Sequence, residues 1–402
     1  MKPPDLPRVD LPKVRVSRKA ADRVASGHPW IFSSDVVDRG EAQPGDTIAV
    51  LGPSGRALGT AHYSSTSQIT LRLLSNRVEA IDRAFLERRL QQAIAYRAAI
   101  VQNSDAYRVV FSEADLLPGL IVDRYGPYLV MQTLNQGMDR ASETIAACLM
   151  ELLQPAGILA RNHAAVRKHE GLPLETKIVS GEVPERSTVL MNGLSLAADL
   201  RQGQKTGAYL DQRENYLAVA KHVAGHARGR MLDCFTSTGG FALHAAKHVE
   251  SVEAVDSSAL ALATAEANAR ANGIANIQFR EADVFDFLAG RSGKDARYSS
   301  IVLDPPAFAK SRKQLDAAVR GYKEINLRAL RLLEPGGILA TCSCSHHLSE
   351  AMLLEIVAAA ALESGKILRI VERRAQASDH PILLTVPETL YLKCLILQVL
   401  EP

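Results

Sequence analysis

The stretch MLDCFTSTGGFALHAA, Met231 to Ala246, limits the chain's choice of fold more than any other. It reads as a buried strand ending at Asp233, a tight turn through Thr238, Gly239 and Gly240, and an apolar helix beginning near Phe241. Lacking a Cβ, Gly239 and Gly240 let the backbone turn sharply and approach a ligand closely, and the helix aims its free N–H groups into the same space. About twenty residues later, VEAVDSS places Asp256 just past a second strand, where dinucleotide folds keep a carboxylate for ribose hydroxyls. The pattern predicts a nucleotide-type βαβ unit and a nucleoside cofactor.

Strands and helices keep alternating downstream. A helix over Ser258 to Asn272 leads to IQFREADVFDFL, in which Asp283 follows a short strand and can accept a hydrogen bond from the exocyclic amine of a base. YSSIVLDPPAF supplies a fourth strand ending at Asp304, Pro305 and Pro306, and GGILATCSCS a fifth running into Cys344. ILRIVERR and LYLKCLILQVL read as an antiparallel pair closing the sheet. Ligands of such sheets bind at the carboxyl ends of the strands, where Asp233, Asp256, Asp283, Asp304 and Cys344 all fall. One pocket can hold them all.

At 402 residues and 47% hydrophobic, the chain has room for more domains before this one. Residues 11–75 alternate with period two: Val14 and Val16, Ile48 and Val50 before a GPSG turn, then Ile69, Leu71 and Leu73. A small β barrel follows from that spacing. Trp30 and Phe32 either stack on bases or fill its core. Lys13, Arg15, Arg18, Lys19 and Arg23 offer phosphate contacts or an ordinary solvated face. From Asp82 to about Val101 the spacing becomes helical, with Leu86, Leu90, Ala93, Ile94 and Val101 on one side and Arg83, Arg88, Arg89 and Arg97 mostly on the other. Two strands, a helix near Ser142 to Leu153 and further strands at GILARN and Val189 to Asp199 make a small α+β middle domain, in which Arg161, Arg167 and Glu170 read as polar surface or as something more specific. The predicted division is 1–75, 76–200 and 201–402. The connector RQGQKTGAYLDQRENY is dense in Gly and hydrogen-bonding side chains, among them Gln204, Lys205, Thr206, Asp211, Gln212 and Arg213, as loops lining sites often are.

The net charge of +3 permits nucleic acid as a partner without arguing for it. Five cysteines at irregular spacing make neither a disulfide framework nor a zinc site, so no metal is expected, and they fit a reducing cytoplasm. MKPPDLPRVD lacks the apolar core of a signal peptide, and no run is long enough to span a membrane. The expectation is a cytoplasmic protein.

The glycine turn, the carboxylates after strands two and three and the DPP after strand four resemble a class I methyltransferase using S-adenosylmethionine. Phe235 and Ser237 stand where the first two glycines of the usual D-x-G-x-G-x-G would be. This departure disfavours a pyrophosphate-bearing dinucleotide, whose approach needs those glycines. In order, SGHPWIF, GQKTGAYLDQR, DCFTSTGGFA, LDPPAF, GYKEIN and SCS resemble the bacterial 23S ribosomal RNA 5-methylcytosine methyltransferases that carry an N-terminal PUA domain. The resemblance implies an α/β fold: a Rossmann-like methyltransferase domain preceded by the β-rich PUA-like barrel and the α+β middle domain. It also implies 23S ribosomal RNA, naked or in a precursor subunit, as partner; a homodimer would be an ordinary outcome.

Residue by residue, the resemblance puts Asp256 at the cofactor ribose and Asp283 at its adenine, with Ser257 and Val284 also among the cofactor-binding residues. The turn Thr236 to Gly240, with Thr238, Gly239 and Gly240, falls at its methionine part, Asp233, Phe235 and Asp304 are further cofactor-binding residues, and Gln204, Lys205 and Thr206 flank the site. Cys344 of Ser-Cys-Ser is the nucleophile, because carbon 5 of cytosine accepts a methyl group only after a thiolate has added to carbon 6. Asp304 binds or protonates the ring nitrogen, Pro305 and Pro306 stiffen its loop, and Phe308 stacks on the base. Two other readings stay open: methylation of an exocyclic amine, for which Ala307 stands where the motif's aromatic belongs, and an RNA-binding assembly factor without turnover. Taken alone, Cys344 can also be strand packing, and Asp256 and Asp283 can be helix caps.

Overall fold

The computed structural model describes residues 10–203, 205–226, 229–291, 297–309 and 311–400. The chain divides into two compact units. One comprises residues 1–189, 198–208 and 378–389, the other 190–197, 209–377 and 390–402.

In the first unit, strands between Lys13 and Ser75 form a six-stranded sheet whose buried face carries Val14, Val16, Ile31, Ile48, Val50, Ala61 and Leu71. Strand alternation therefore buries Ile31 and leaves Trp30 and Phe32 half-exposed on either side of it. The Trp30 indole N–H donates to Glu113 at 2.8 Å, and the Arg23 guanidinium lies 4.8 Å over Phe32 while pairing with Asp35. Arg18 to Ala25 is a helix capped by Ser17, which the sequence reading did not anticipate.

A second sheet of five strands, between Ala106 and Gly181, packs against helices Arg83–Ile100 and Ser142–Leu153. The sequence placed Arg97 with the solvent-facing arginines, yet its side chain is only 1% exposed. It bonds Asp115 and donates to the carbonyls of Arg108 and Asp379 at 3.0 and 2.8 Å. Arg167 and Glu170 are likewise fully buried, the first bonded to Asp139 at 2.7 Å, the second paired with Arg72 at 3.0 Å. These charges are internal connectors, since a buried ion persists only when paired and hydrogen-bonded.

In the second unit, α1 (Arg213–His226) precedes strands β1 (Arg230–Cys234), β2 (Ser251–Asp256), β3 (Ile277–Glu281), β4 (Tyr298–Leu303), β5 (Leu333–Ser343), β6 (Ile367–Arg374) and β7 (Lys393–Leu400). The order across the sheet is β3-β2-β1-β4-β5-β7-β6, parallel from β3 to β5, with β7 antiparallel to both neighbours. β1 and β4 read as apolar runs because helices cover both faces of a parallel sheet. The helices between strands are α2 (Gly240–Ala245), α3 (Ala259–Ala271), α4 (Val284–Gly290), α5 (Leu315–Leu332) and α6 (Glu350–Ser364). The chain switches direction between β1 and β4, and the crevice at such a switch point is where ligands of open α/β sheets bind.

Candidate active site

The turn after β1 keeps the backbone that glycines would supply without having all of them. Phe235, Ser237 and Gly239 have φ of 62°, 51° and 88°. Phe235 and Ser237 are the two positions where the resemblance expects glycine. An L side chain in this left-handed region costs of order 1 kcal/mol, so the surroundings must hold both residues there. The holding groups are visible. Asp233 takes the Thr236 hydroxyl at 2.6 Å and the Ala242 N–H at 3.0 Å on Oδ2. Asp256, at the end of β2, takes the Ser237 N–H and the Ser258 N–H, each at 2.9 Å. Asn268 of α3 donates to the Thr238 carbonyl. Gly240 opens α2 directly beneath Tyr216, where a Cβ would come within 2.3 Å of the ring.

Burial pushes the Asp233 carboxyl up to about 7, against the pull of its two hydrogen bonds, and the charge of Asp256 adds to the rise. Its Oδ1 is buried with no hydrogen-bond partner among the described residues. Asp283 caps α4, accepting from Phe285 and Asp286 at 2.8 and 3.1 Å, so the helix-cap alternative describes one of its oxygens, Oδ1. Ser257 is exposed, whereas Val284 is core.

The ends of β4 and β5 bring the other candidates together. Leu303 pairs with Cys234 on one side and Thr341 on the other, which sets Asp304 and Cys344 just beyond adjacent strand ends. Gln212 donates to Asp304 at 2.9 Å, and Asn215 donates to Gln212 at 2.6 Å. Tyr209 lies among the candidates: burial raises its phenol most, followed by the charges of Asp304, Asp211, Cys344 and Asp256. Of the five cysteines, Cys344 alone is half-exposed; Cys148, Cys234, Cys342 and Cys394 are buried. The hydrogen bond with the Cys394 thiol opposite it, then burial, pushes the Cys342 thiol far up. The serines beside Cys344 are locked by Tyr322: Ser343 Oγ donates to its phenol at 2.9 Å, and Ser345 Oγ lies 3.1 Å from it. Ser345 Oγ also accepts the Ala309 N–H after the DPP turn, at 3.3 Å. Thus the DPP and SCS segments are tied directly.

Phe308 sits in an aromatic cluster with Tyr322, Phe285 and Phe235, ring centroids 4.7, 5.8 and 6.5 Å away. Pro305 is buried and Pro306 exposed. Lys205 and Thr206 belong to the first unit, where the buried Thr206 hydroxyl bonds Asp123 and Tyr125. Gln204 lies outside the described residues. Sequence reasoning passed over Tyr209, Tyr322 and Lys393. The first two sit in stretches it had singled out, the connector and GYKEIN, whereas Lys393 is a lone charge in an apolar strand.

Comparison with known proteins agrees with this layout. A PUA-like domain model matches residues 14–76, and an S-adenosylmethionine-dependent methyltransferase model matches residues 139–397. The ribosomal RNA large subunit methyltransferase I of Shewanella amazonensis is 43% identical over 92% of this chain and 95% of its own. Its counterpart in Klebsiella pneumoniae subsp. pneumoniae is 39% identical over 95% and 97%. A candidate SAM-dependent methyltransferase structure from Streptococcus mutans superposes with a TM-score of 0.81, covering 96% of this chain and all of its own, at 20% identity, and so shares the fold. The chain belongs to the S-adenosylmethionine-dependent methyltransferase family, with S-adenosylmethionine as its cofactor and a PUA-like domain before the Rossmann-like one.

Proposed function

We propose that the protein methylates carbon 5 of a cytosine in 23S ribosomal RNA, with Cys344 as nucleophile. The supporting observation is that Cys344, the one half-exposed thiol of five, shares the neighbourhood of Tyr209 with Asp304 at adjacent strand ends. Ribosomal RNA enters from the names of the relatives, which cover nearly the whole chain. An activity on ribosomal RNA carries with it a cytoplasmic site of action. Residues 1–75 would then bind RNA, 76–200 form the middle domain and 201–402 the catalytic one.

The residues present fit the cofactor: an acidic strand-end cluster suits a cationic sulfonium, and Asp233 Oδ1 is a buried acceptor without a partner among the described residues. Asp256 and Ser257 would hold the ribose and Asp283 and Val284 the adenine. Asp233, Asp304 and the turn Phe235 to Gly240 would hold the methionine end. When bound, S-adenosylmethionine supplies an electrophilic methyl group.

The chain's own residues do the rest. The Cys344 thiolate forms a bond to carbon 6 of cytosine, pushing the ring electrons toward carbon 5. Asp304, held by Gln212, gives a proton to the ring nitrogen on which charge builds and takes it back when the ring is restored. Once carbon 5 carries the methyl group, a base takes its proton, the bond between carbon 6 and sulfur breaks with its electrons going to the thiolate, and the ring double bond is restored. The Tyr322 bonds to Ser343 and Ser345 keep the nucleophile's backbone fixed throughout.

Deproteinised 23S ribosomal RNA incubated with the protein and deuterium-labelled methyl S-adenosylmethionine is expected to yield labelled 5-methylcytidine by nucleoside mass spectrometry, and Cys344→Ala to yield none. Labelled N-methylated nucleoside that survives in Cys344→Ala would move the assignment to an exocyclic amine, whose methylation needs no thiolate.

A further inference from the structure

Lys393 begins β7, opposite Ser343 of β5, and is only 5% exposed in an otherwise apolar strand. Its ammonium donates to the Ser345 carbonyl and to the Tyr391 carbonyl, each at 2.8 Å. An ammonium has three donors, so a third N–H remains after these two bonds. The Ser345 carbonyl lies one residue beyond Cys344. A buried cation anchored there meets no need of the strand, where an apolar residue would pack at lower cost.

We propose that Lys393 is a positioning residue for methyl transfer, its buried ammonium holding the Cys344 sulfur as the thiolate. This rests on the reading of Cys344 as nucleophile. The thiol proton leaves to solvent past the half-exposed face of Cys344, and Lys393 keeps its own protons.

The surrounding charges are consistent with this pairing. Burial lowers the Lys393 ammonium to about 8, with the charge of Cys344, then that of Glu350 on α6, opposing the fall. Glu350 is itself bonded by Arg373. Among the described residues, the phenols of Tyr209 and Tyr322 also feel the charge of Cys344, and both are kept protonated chiefly by burial. Asp304 stands at the neighbouring strand end, and His346 and His347 follow in sequence. Of the groups around the sulfur, Lys393 supplies positive charge at neutral pH, and an opposite charge in close range favours the thiolate.

The test needs neither RNA nor cofactor. Iodoacetamide labelling of the full-length native protein across pH, followed by mass spectrometry of the Cys344 peptide, gives the pH of half-maximal alkylation. Lys393→Met is expected to raise that midpoint by about one pH unit and slow labelling at pH 7 roughly tenfold, with Lys393→Arg restoring most of both. Superimposed wild-type and Lys393→Met profiles, from chains with matching circular dichroism, would overturn the proposal. Should Lys393→Met not fold, the wild type decides alone: the Cys344 midpoint is expected below that of the same cysteine in urea, and a midpoint at or above it rejects the role. A wild type that makes no 5-methylcytidine rejects the proposed reaction while leaving this measurement to report on Lys393.

Discussion

Asp233 shows how one carboxyl couples the glycine turn to pH. Folding raises it from the ordinary carboxylic range to about 7, so the folded chain holds the proton more tightly than the unfolded one. Its contribution to stability is therefore fully present below about pH 4 and lost as pH rises through about 7. Urea denaturation of the wild type and Asp233→Asn is expected to show the wild type losing ground between those limits. Parallel pH profiles would contradict the assigned burial effect. The same residue explains why Phe235 and Ser237 replace glycine at tolerable cost: its bond to the Thr236 hydroxyl and Asp256's bond to Ser237 N–H hold the strained turn from either side. A sequence shows only that two glycines are missing. That their dihedrals survive depends on partners brought in by β2, which no local reading supplies.

At the level of elements, α2 depends on its first residue. Gly240→Ala places a methyl 2.3 Å from the Tyr216 ring, and this ring is wedged edge-on against Phe241 and stacked on His244. A loss of about 1–3 kcal/mol is expected by chemical denaturation, with weaker S-adenosylmethionine binding by calorimetry, because the ring cannot move without shifting the turn. Unchanged stability would mean that α1 gives way easily. The parallel strands and the helices Arg83–Ile100, Ser142–Leu153, α2 and α3 were legible in the sequence as apolar patterns bounded by Gly, Pro and Asp, whereas α4, α5 and α6 were not read as elements although α5 buries eight residues. Elements that bury little were not legible either. Glu175–Gly181 is a strand without one buried residue, so it shows no alternation, and Arg18–Ala25 buries only Ala20. Arg97 was misplaced because helical periodicity sorts charges outward by default, and its partners Asp115 and Asp379 are distant in sequence. Lys393 was overlooked for a related reason: the meaning of a single charge in an apolar strand lies in the strand beside it.

Across the whole molecule, neither unit is a continuous piece of chain. Residues 198–208 and 378–389 return to the first unit, and 390–402 complete the second. Within the first unit the returning segment joins a buried network: Asp379 accepts the Arg108 N–H at 2.8 Å while its carbonyl takes the Arg97 guanidinium. Asp379→Ala is expected to cost about 1–3 kcal/mol, the penalty of a buried donor left unpaired, and to speed amide exchange of Arg108 and its strand neighbours, measured by hydrogen–deuterium exchange. Protection that is unchanged there would show that the strand holds without its late partner. During synthesis this arrangement imposes a wait. The arginine in the helix Arg83–Ile100 emerges from the ribosome 282 residues ahead of the carbonyl that completes its shell. The two sheets between Lys13 and Gly181 can form early, but their charged interior closes only after Asp379 has been made, so a helix made early is sealed late.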